Sequence, residues 1–417
     1  MAAKLILPRI TSSVYPADVL VILVAASLPW STSLPAIFVG LWLLALLPII
    51  EIPALGTLFR HPACALPVVL FTLALLGMLW SNAPWNIRLY YVGPVAKLLA
   101  IPLLIYQFQR SQRGIWVFAA FLSSCVLLMI LSWIVAIDPR LALKSDAAHG
   151  VPVKNYIDQS QEFTLCAVVL SYPILLFLRQ KRFQVATWSI VIAASFVANM
   201  VFVTISRTAL VTLPVLFGIF AVVYLTRRSM AYIFGAIFLI AVSLWFVSPS
   251  LRERTASLFS QYTSYESANA PTSVGLRLEF WKKSLQFFRE APLVGHGTGA
   301  VRSLFSQSAA GQTGPASEVV ANPHNQTLYA AIQWGAAGVG ALLALWLCHL
   351  LLFRGTGLAC WVGLAVVAQN MMSSLFNSHL FDFHEGWMYV LGVGVAGGMV
   401  LSQHATRAGY NNPLEHT

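Results

Sequence analysis

Three side chains stand where a hydrophobic chain accommodates them only at a cost. Arg207 lies between two long apolar runs, Val185–Ile205 and Ala209–Leu225, with no acid nearby in sequence. A guanidinium at membrane depth without a carboxylate points to a bound anion, although an arginine at an interface also serves as a snorkelling anchor. Arg277 falls in Ser273-Val-Gly-Leu-Arg277-Leu-Glu-Phe-Trp281-Lys-Lys, and His324 in Asn322-Pro-His324-Asn325-Gln326. Two guanidinium groups suit phosphate oxygens, which they bind bidentately. A helix starting after Pro323 sets His324 near the positive dipole end, which disfavours the imidazolium and leaves a neutral base. A lone histidine there also reads as a cap. Its company, Asn325, Gln326 and the two arginines, favours the base.

Further candidates are weaker. Lys97, about eight residues into an apolar run, reaches the same region or anchors its span by snorkelling, and Arg88 just before that run is similar. Trp281, four residues after Arg277, joins them as a substrate-binding candidate together with Asn325 and Gln326. Asp382-Phe-His384-Glu385 offers three candidate metal ligands in four consecutive positions, which is poor ligand spacing and reads as a polar loop. The glycines of Pro292-Leu-Val-Gly-His-Gly-Thr-Gly299 lack the strand and the Gly-Lys-Ser/Thr ending of a phosphate cradle, so the segment reads as a turn. With no Asp-x-Asp pair anywhere, the site candidates imply no metal and no cofactor.

The elements that must position these groups are membrane spans. The chain has 417 residues, 58% hydrophobic and 9% charged, against about 25% charged in a soluble domain. About twelve apolar runs recur, near 17–30, 34–52, 65–81, 90–108, 114–136, 163–178, 184–205, 208–226, 231–248, 325–353, 357–375 and 387–402. The expected fold is an all-α polytopic membrane protein, a single transmembrane domain over 1–417, with one large loop at 249–324 between the ninth and tenth spans. Within that loop an amphipathic helix is expected over Leu276–Phe288. Leu278, Trp281, Leu285 and Phe288 would turn to lipid, and Arg277, Lys282, Lys283 and Gln286 to other faces.

Alternate connections are basic: Phe59-Arg60-His61, Arg110-Ser-Gln-Arg113, Arg179-Gln-Lys-Arg182, Arg227-Arg228 and Arg354. The positive-inside rule then sets both termini in the cytoplasm and sets the loop 137–162, the Ser206-Arg207-Thr208 turn, the large loop and 376–386 on the other side. The net charge of +11 is therefore largely topological and does not imply a nucleic-acid partner. The N-terminal Met1-Ala-Ala-Lys-Leu-Ile-Leu-Pro-Arg9 lacks a signal-peptide arrangement, so the first span reads as retained. None of the five cysteines lies in the large loop, so no disulfide is expected to staple it.

Taken in order, Ser206-Arg207-Thr208 after a span, Arg277-x-x-x-Trp281, Pro292-Leu-Val-Gly-x-Gly, His324-Asn325 and Gly335-x-x-Gly338 resemble the bacterial O-antigen ligase and polymerase superfamily. The resemblance covers about 200–345 by motif and the whole chain by topology. It implies a GT-C-like inner-membrane glycosyltransferase, metal-independent and inverting, acting on the periplasmic side. The donor would be an undecaprenyl-pyrophosphate-linked glycan and the acceptor lipid A–core, with membrane lipids around the spans. By residue match, the resemblance implies His324 as base and Arg207 with Arg277 on the pyrophosphate. The short tail after about 403 argues against the protein-glycosylating branch. A polymerase, with a second lipid-linked repeat as acceptor, shares the same motifs. A secondary transporter or flippase using Arg207 and Lys97 as substrate cations is the alternative of another class; it would need broken helices around a central cavity, and no matched pair of interrupted half-chains is evident.

Overall fold

The computed structural model describes residues 15–144, 150–204, 206–247 and 249–410. The N-terminal Met1–Arg9 segment, part of the 137–162 loop and the end of the tail at 411–417 lie outside the described residues.

Among the described residues the chain is all helix and turn. In order the helices are α1 (Tyr15–Ser27), α2 (Ser33–Leu46), α3 (Ile52–Leu58), α4 (Pro62–Leu76), α5 (Trp85–Ala96), α6 (Ala100–Phe108), α7 (Gly114–Ile137), α8 (Tyr156–Val169) and α9 (Ser171–Arg179). Then come α10 (Phe183–Phe202), α11 (Arg207–Tyr224), α12 (Arg227–Val247), α13 (Pro249–Ala268), α14 (Ser273–Glu290), α15 (Val301–Ala309), α16 (Gln326–Leu352), α17 (Leu358–Ser373) and α18 (Phe383–Tyr410). Each apolar run read from the sequence coincides with a helix or a broken pair. Six spans among the described residues are long and apolar enough to cross a membrane. They become seven if the pair Ser33–Ile49 and Ile52–Leu58, bent by 113°, counts as one span. The chain is thus a multi-pass, all-α membrane protein.

Two helix breaks shape the region of interest. Pro94 cannot donate within α5, and α5 gives way to a 3-10 turn, Lys97–Leu99, before α6. In α16, Gly335 adopts φ 58° and ψ −150°, a backbone that L side chains rarely adopt. The loop 292–299 fills that kink. Ala336 N donates to Pro292 O at 2.8 Å, His296 N to Ile332 O at 2.8 Å and Gly297 N to Gln333 O at 2.8 Å. Gly299 N donates to Gln333 Oε1 at 2.8 Å, and Thr298 N to Gly77 O at 2.9 Å. These amides are spent on protein oxygens, so the turn reading holds and the glycines offer no phosphate cradle.

α14 packs differently from the expectation in one respect. Leu278 and Leu285 are exposed, as a lipid-facing stripe requires, but Phe280, Lys283, Ser284 and Phe287 form a buried face. Phe280 and Phe287 meet the ring of Phe305 at 5.8 and 5.3 Å. Lys283 is therefore not at the headgroups; its ammonium donates to Ala316 O. Periodicity located the stripe but not the second apolar face that docks the helix on the bundle.

Candidate functional site

The candidate groups sit at the N-terminal ends of four helices. Arg207 is the first residue of α11, with Ser206 as its N-cap accepting from Ala209 N. Tyr156 opens α8, and Arg277 lies one turn into α14. His324 immediately precedes Asn325, the N-cap of α16. Arg277 interacts electrostatically with Arg207, with Tyr156 and with His324, so it links the other two groups singled out from the sequence. Helix N-termini carry partial positive charge and attract anions, which adds to the field of the two guanidinium groups.

Among the described residues that field is not neutralised by a carboxylate. Arg207 directs Nη2 to Ser257 Oγ of α13 at 3.2 Å, and Arg277 makes no hydrogen bond among the described residues. Neither arginine has a carboxylate within ion-pair distance among those residues, and both are half-buried. Burial, then the Arg207 charge, lowers the pKa of Arg277. Like charges gathered in partly desolvated space favour an anion between them.

His324 has a left-handed backbone, φ 55°, which a non-glycine residue adopts only when its surroundings enforce it. Its N–H donates to Asn322 Oδ1 at 2.9 Å, its Nδ1 lies 3.0 Å from Asn377 Oδ1, and Phe280 packs over its ring at 6.1 Å. Burial lowers its pKa, the Asn377 hydrogen bond opposes this, and the Arg277 charge lowers it further. The imidazole is thus held neutral near pH 7, as a base requires.

The remaining candidates separate. Asn325 and Gln326 fasten α16 to the 374–380 segment: Asn325 Nδ2 donates to Leu375 O at 3.3 Å, Gln326 N donates to Ser374 O at 2.9 Å, and Gln326 Oε1 accepts from Leu380 N at 3.1 Å. Trp281 is partly buried with its indole N–H unpartnered, a donor in want of an acceptor. Arg88 donates to Ala83 O and Met78 O, both at 2.6 Å, and covers the Trp85 ring at 4.5 Å, so its contacts close the preceding turn. Lys97 does not snorkel along its span; it donates to Asp382 O across the bundle.

The loop 374–386 carries more of the site than its sequence suggested. Asn322, Asn377 and Ser378 join His324 in one hydrogen-bonded group, and Asn377 Nδ2 donates to Asp382 Oδ2 at 2.6 Å. The sequence trio Asp382, His384 and Glu385 is divided: His384 Nδ1 pairs with Asp158 at 2.7 Å. His379 replaces it, and with Asp382 and Glu385 puts one ligand atom each within 4.8 Å of the others. A cation could be held there, and Lys97 interacts electrostatically with both Asp382 and Glu385. Burial pushes the His379 pKa down to about 4, with Asp158 opposing and His324 and Arg277 adding to the fall. Burial raises that of Asp382 to about 6 against the pull of Lys97. Asn377 and His379 gave no signal in sequence, since an asparagine and a histidine in a short polar connection look like any loop.

Residues 192–343 match the family model described as O-antigen ligase. That segment spans Arg207, Arg277, the 292–299 loop and His324. A search of curated proteins finds no match.

Proposed function

We propose that this chain, by that match a glycosyltransferase-type enzyme of the O-antigen ligase family, transfers a glycan from undecaprenyl pyrophosphate to a sugar hydroxyl of lipid A–core. The observation that carries the reading is the pair Arg207 and Arg277, unpaired with any carboxylate among the described residues, with Arg277 in electrostatic range of His324, whose pKa burial lowers. The reaction runs at the periplasmic face of the bacterial inner membrane. Twelve spans hold the site, and both termini are cytoplasmic.

In this reading the diphosphate lies between the guanidinium groups and the ends of α11 and α14. The acceptor hydroxyl attacks the anomeric carbon on the face opposite the diphosphate. The carbon–oxygen bond to phosphate breaks and its electron pair leaves with undecaprenyl pyrophosphate, inverting the centre. Arg207 and Arg277 stabilise the negative charge that builds on the leaving oxygen, which is electrostatic work that side chains can do. His324 takes the hydroxyl proton, a role worth about 10² to 10⁴ in rate. The indole N–H of Trp281, without a partner among the described residues and on the next turn from Arg277, would donate to the glycan or the diphosphate once the bound substrate uncovers it.

The test is transfer by purified protein from a lipid-pyrophosphate glycan, with lipid A–core or a second lipid-linked repeat offered separately. Product on lipid A–core alone supports the ligase reading. Product on the second repeat alone replaces it with a polymerase.

A further inference from the structure

We propose that Asn377, itself held by Asp382, is a positioning residue that fixes the tautomer of His324 and leaves Nε2 as the atom that accepts the proton. This rests on the reading of His324 as base and goes beyond it by naming the nitrogen and what selects it.

An ionised carboxylate only accepts, so the Asn377 group 2.6 Å from Asp382 Oδ2 must be its NH₂. The Asn377 carbonyl oxygen then faces the other way, where it lies 3.0 Å from His324 Nδ1 and 2.9 Å from Asn322 Nδ2. Asn322 is oriented independently, because its Oδ1 receives both the His324 N–H at 2.9 Å and the Ser378 hydroxyl at 2.8 Å. Both partners of the Asn377 oxygen must therefore be donors. The His324 proton resides on Nδ1, and Nε2, which makes no hydrogen bond among the described residues, keeps its lone pair. Lys97, donating to Asp382 O, ties the anchor to the α5–α6 break. The titratable and charged groups around the ring are Arg277 from α14, His379 and Asp382 from the 374–382 segment, and Lys97 behind Asp382. Using an amide rather than a carboxylate against Nδ1 orients the ring without raising its proton affinity strongly, which suits a base working beside two guanidinium groups.

The experiment compares steady-state transfer by purified full-length wild type, Asn377→Ala, Asn377→Asp and His324→Ala across pH. Asn377→Ala should lower kcat about 10- to 100-fold, part of the worth of the base, with donor KM little changed. In the His324→Ala background it should add almost nothing, as for residues acting as one unit. Asn377→Asp should move the acidic limb of the residual activity to higher pH, since a carboxylate on Nδ1 raises the imidazole pKa, while loss of the donor to Asp382 keeps kcat below wild type. A merely structural asparagine would not move that limb. The ¹⁵N spectrum of wild type, with His324 identified by difference from His324→Ala, should show Nε2 as the unprotonated nitrogen, and this needs no folded Asn377 variant. Full activity in His324→Ala defeats the base reading itself. An inactive His324→Ala beside an Asn377→Ala with wild-type kcat, or a proton found on Nε2, defeats this inference alone.

Discussion

Arg277 lies within electrostatic range of Arg207, and neither makes an ion pair among the described residues. Two such guanidinium groups suit a doubly charged ligand. Arg207→Ala and Arg277→Ala should each weaken binding of undecaprenyl pyrophosphate about 10- to 100-fold, the worth of one or two charge-assisted hydrogen bonds. The unliganded variants should melt no lower than wild type, because one of two repelling charges has gone. Thermal shift with and without the lipid pyrophosphate reads both effects.

The acidic limb of kcat/KM, which reports the free enzyme, should lie below the ordinary histidine value of about 6.5, since burial and Arg277 hold His324 down. The sign follows from the role: a base must be unprotonated, so activity falls as pH drops through its pKa. Arg277→Met removes a charge that lowers that pKa and should move the limb to higher pH in the residual activity. Arg277→Lys keeps the charge and should leave the limb where it was. A pH series of kcat/KM on the two variants makes the comparison.

Gly335→Ala should damage the fold locally. A Cβ at that position would stand 2.5 Å from the Leu293 carbonyl carbon, on a backbone with φ 58°. Displacing the 292–299 loop strains the seat of α14 and α16, and a cost of about 1–3 kcal/mol is expected from the backbone alone. The measurement is the melting temperature in detergent, with Gly340→Ala, where no neighbour stands within 4 Å, as the control that should change little.

Transfer should persist when divalent cations are removed by a chelator, because in this account the arginines carry the leaving-group charge. Loss on chelation with recovery on adding one metal would bring His379, Asp382 and Glu385 forward as its ligands. Metal content of the purified protein before and after treatment completes the test.

Much of this site could be read from the chain, for identifiable reasons. Arg207 was visible because an unpaired cation interrupts hydrocarbon, and His324 because Asn322-Pro323 announces a helix start. The helix positions followed from apolar length. What stayed hidden depends on side chains distant in sequence. Asn377 matters only because the 374–382 segment folds against residue 324, and no local pattern encodes that approach. Arg88 and Lys97 looked alike in sequence, yet one closes its own turn and the other crosses to Asp382 O. Lys283 was read as surface charge because the pattern of α14 does not reveal that the loop at Ala316 covers it.

The most direct measurement of the central claim is glycan transfer from a defined lipid-pyrophosphate donor by purified Arg207→Ala, Arg277→Ala and His324→Ala, each shown to be folded and monodisperse. The account predicts that both arginine variants lose transfer by at least about 100-fold, and that His324→Ala loses turnover by about 10² to 10⁴ while still binding donor. Wild-type transfer in any one of the three would contradict the role given to that residue, and wild-type transfer in all three would remove the site.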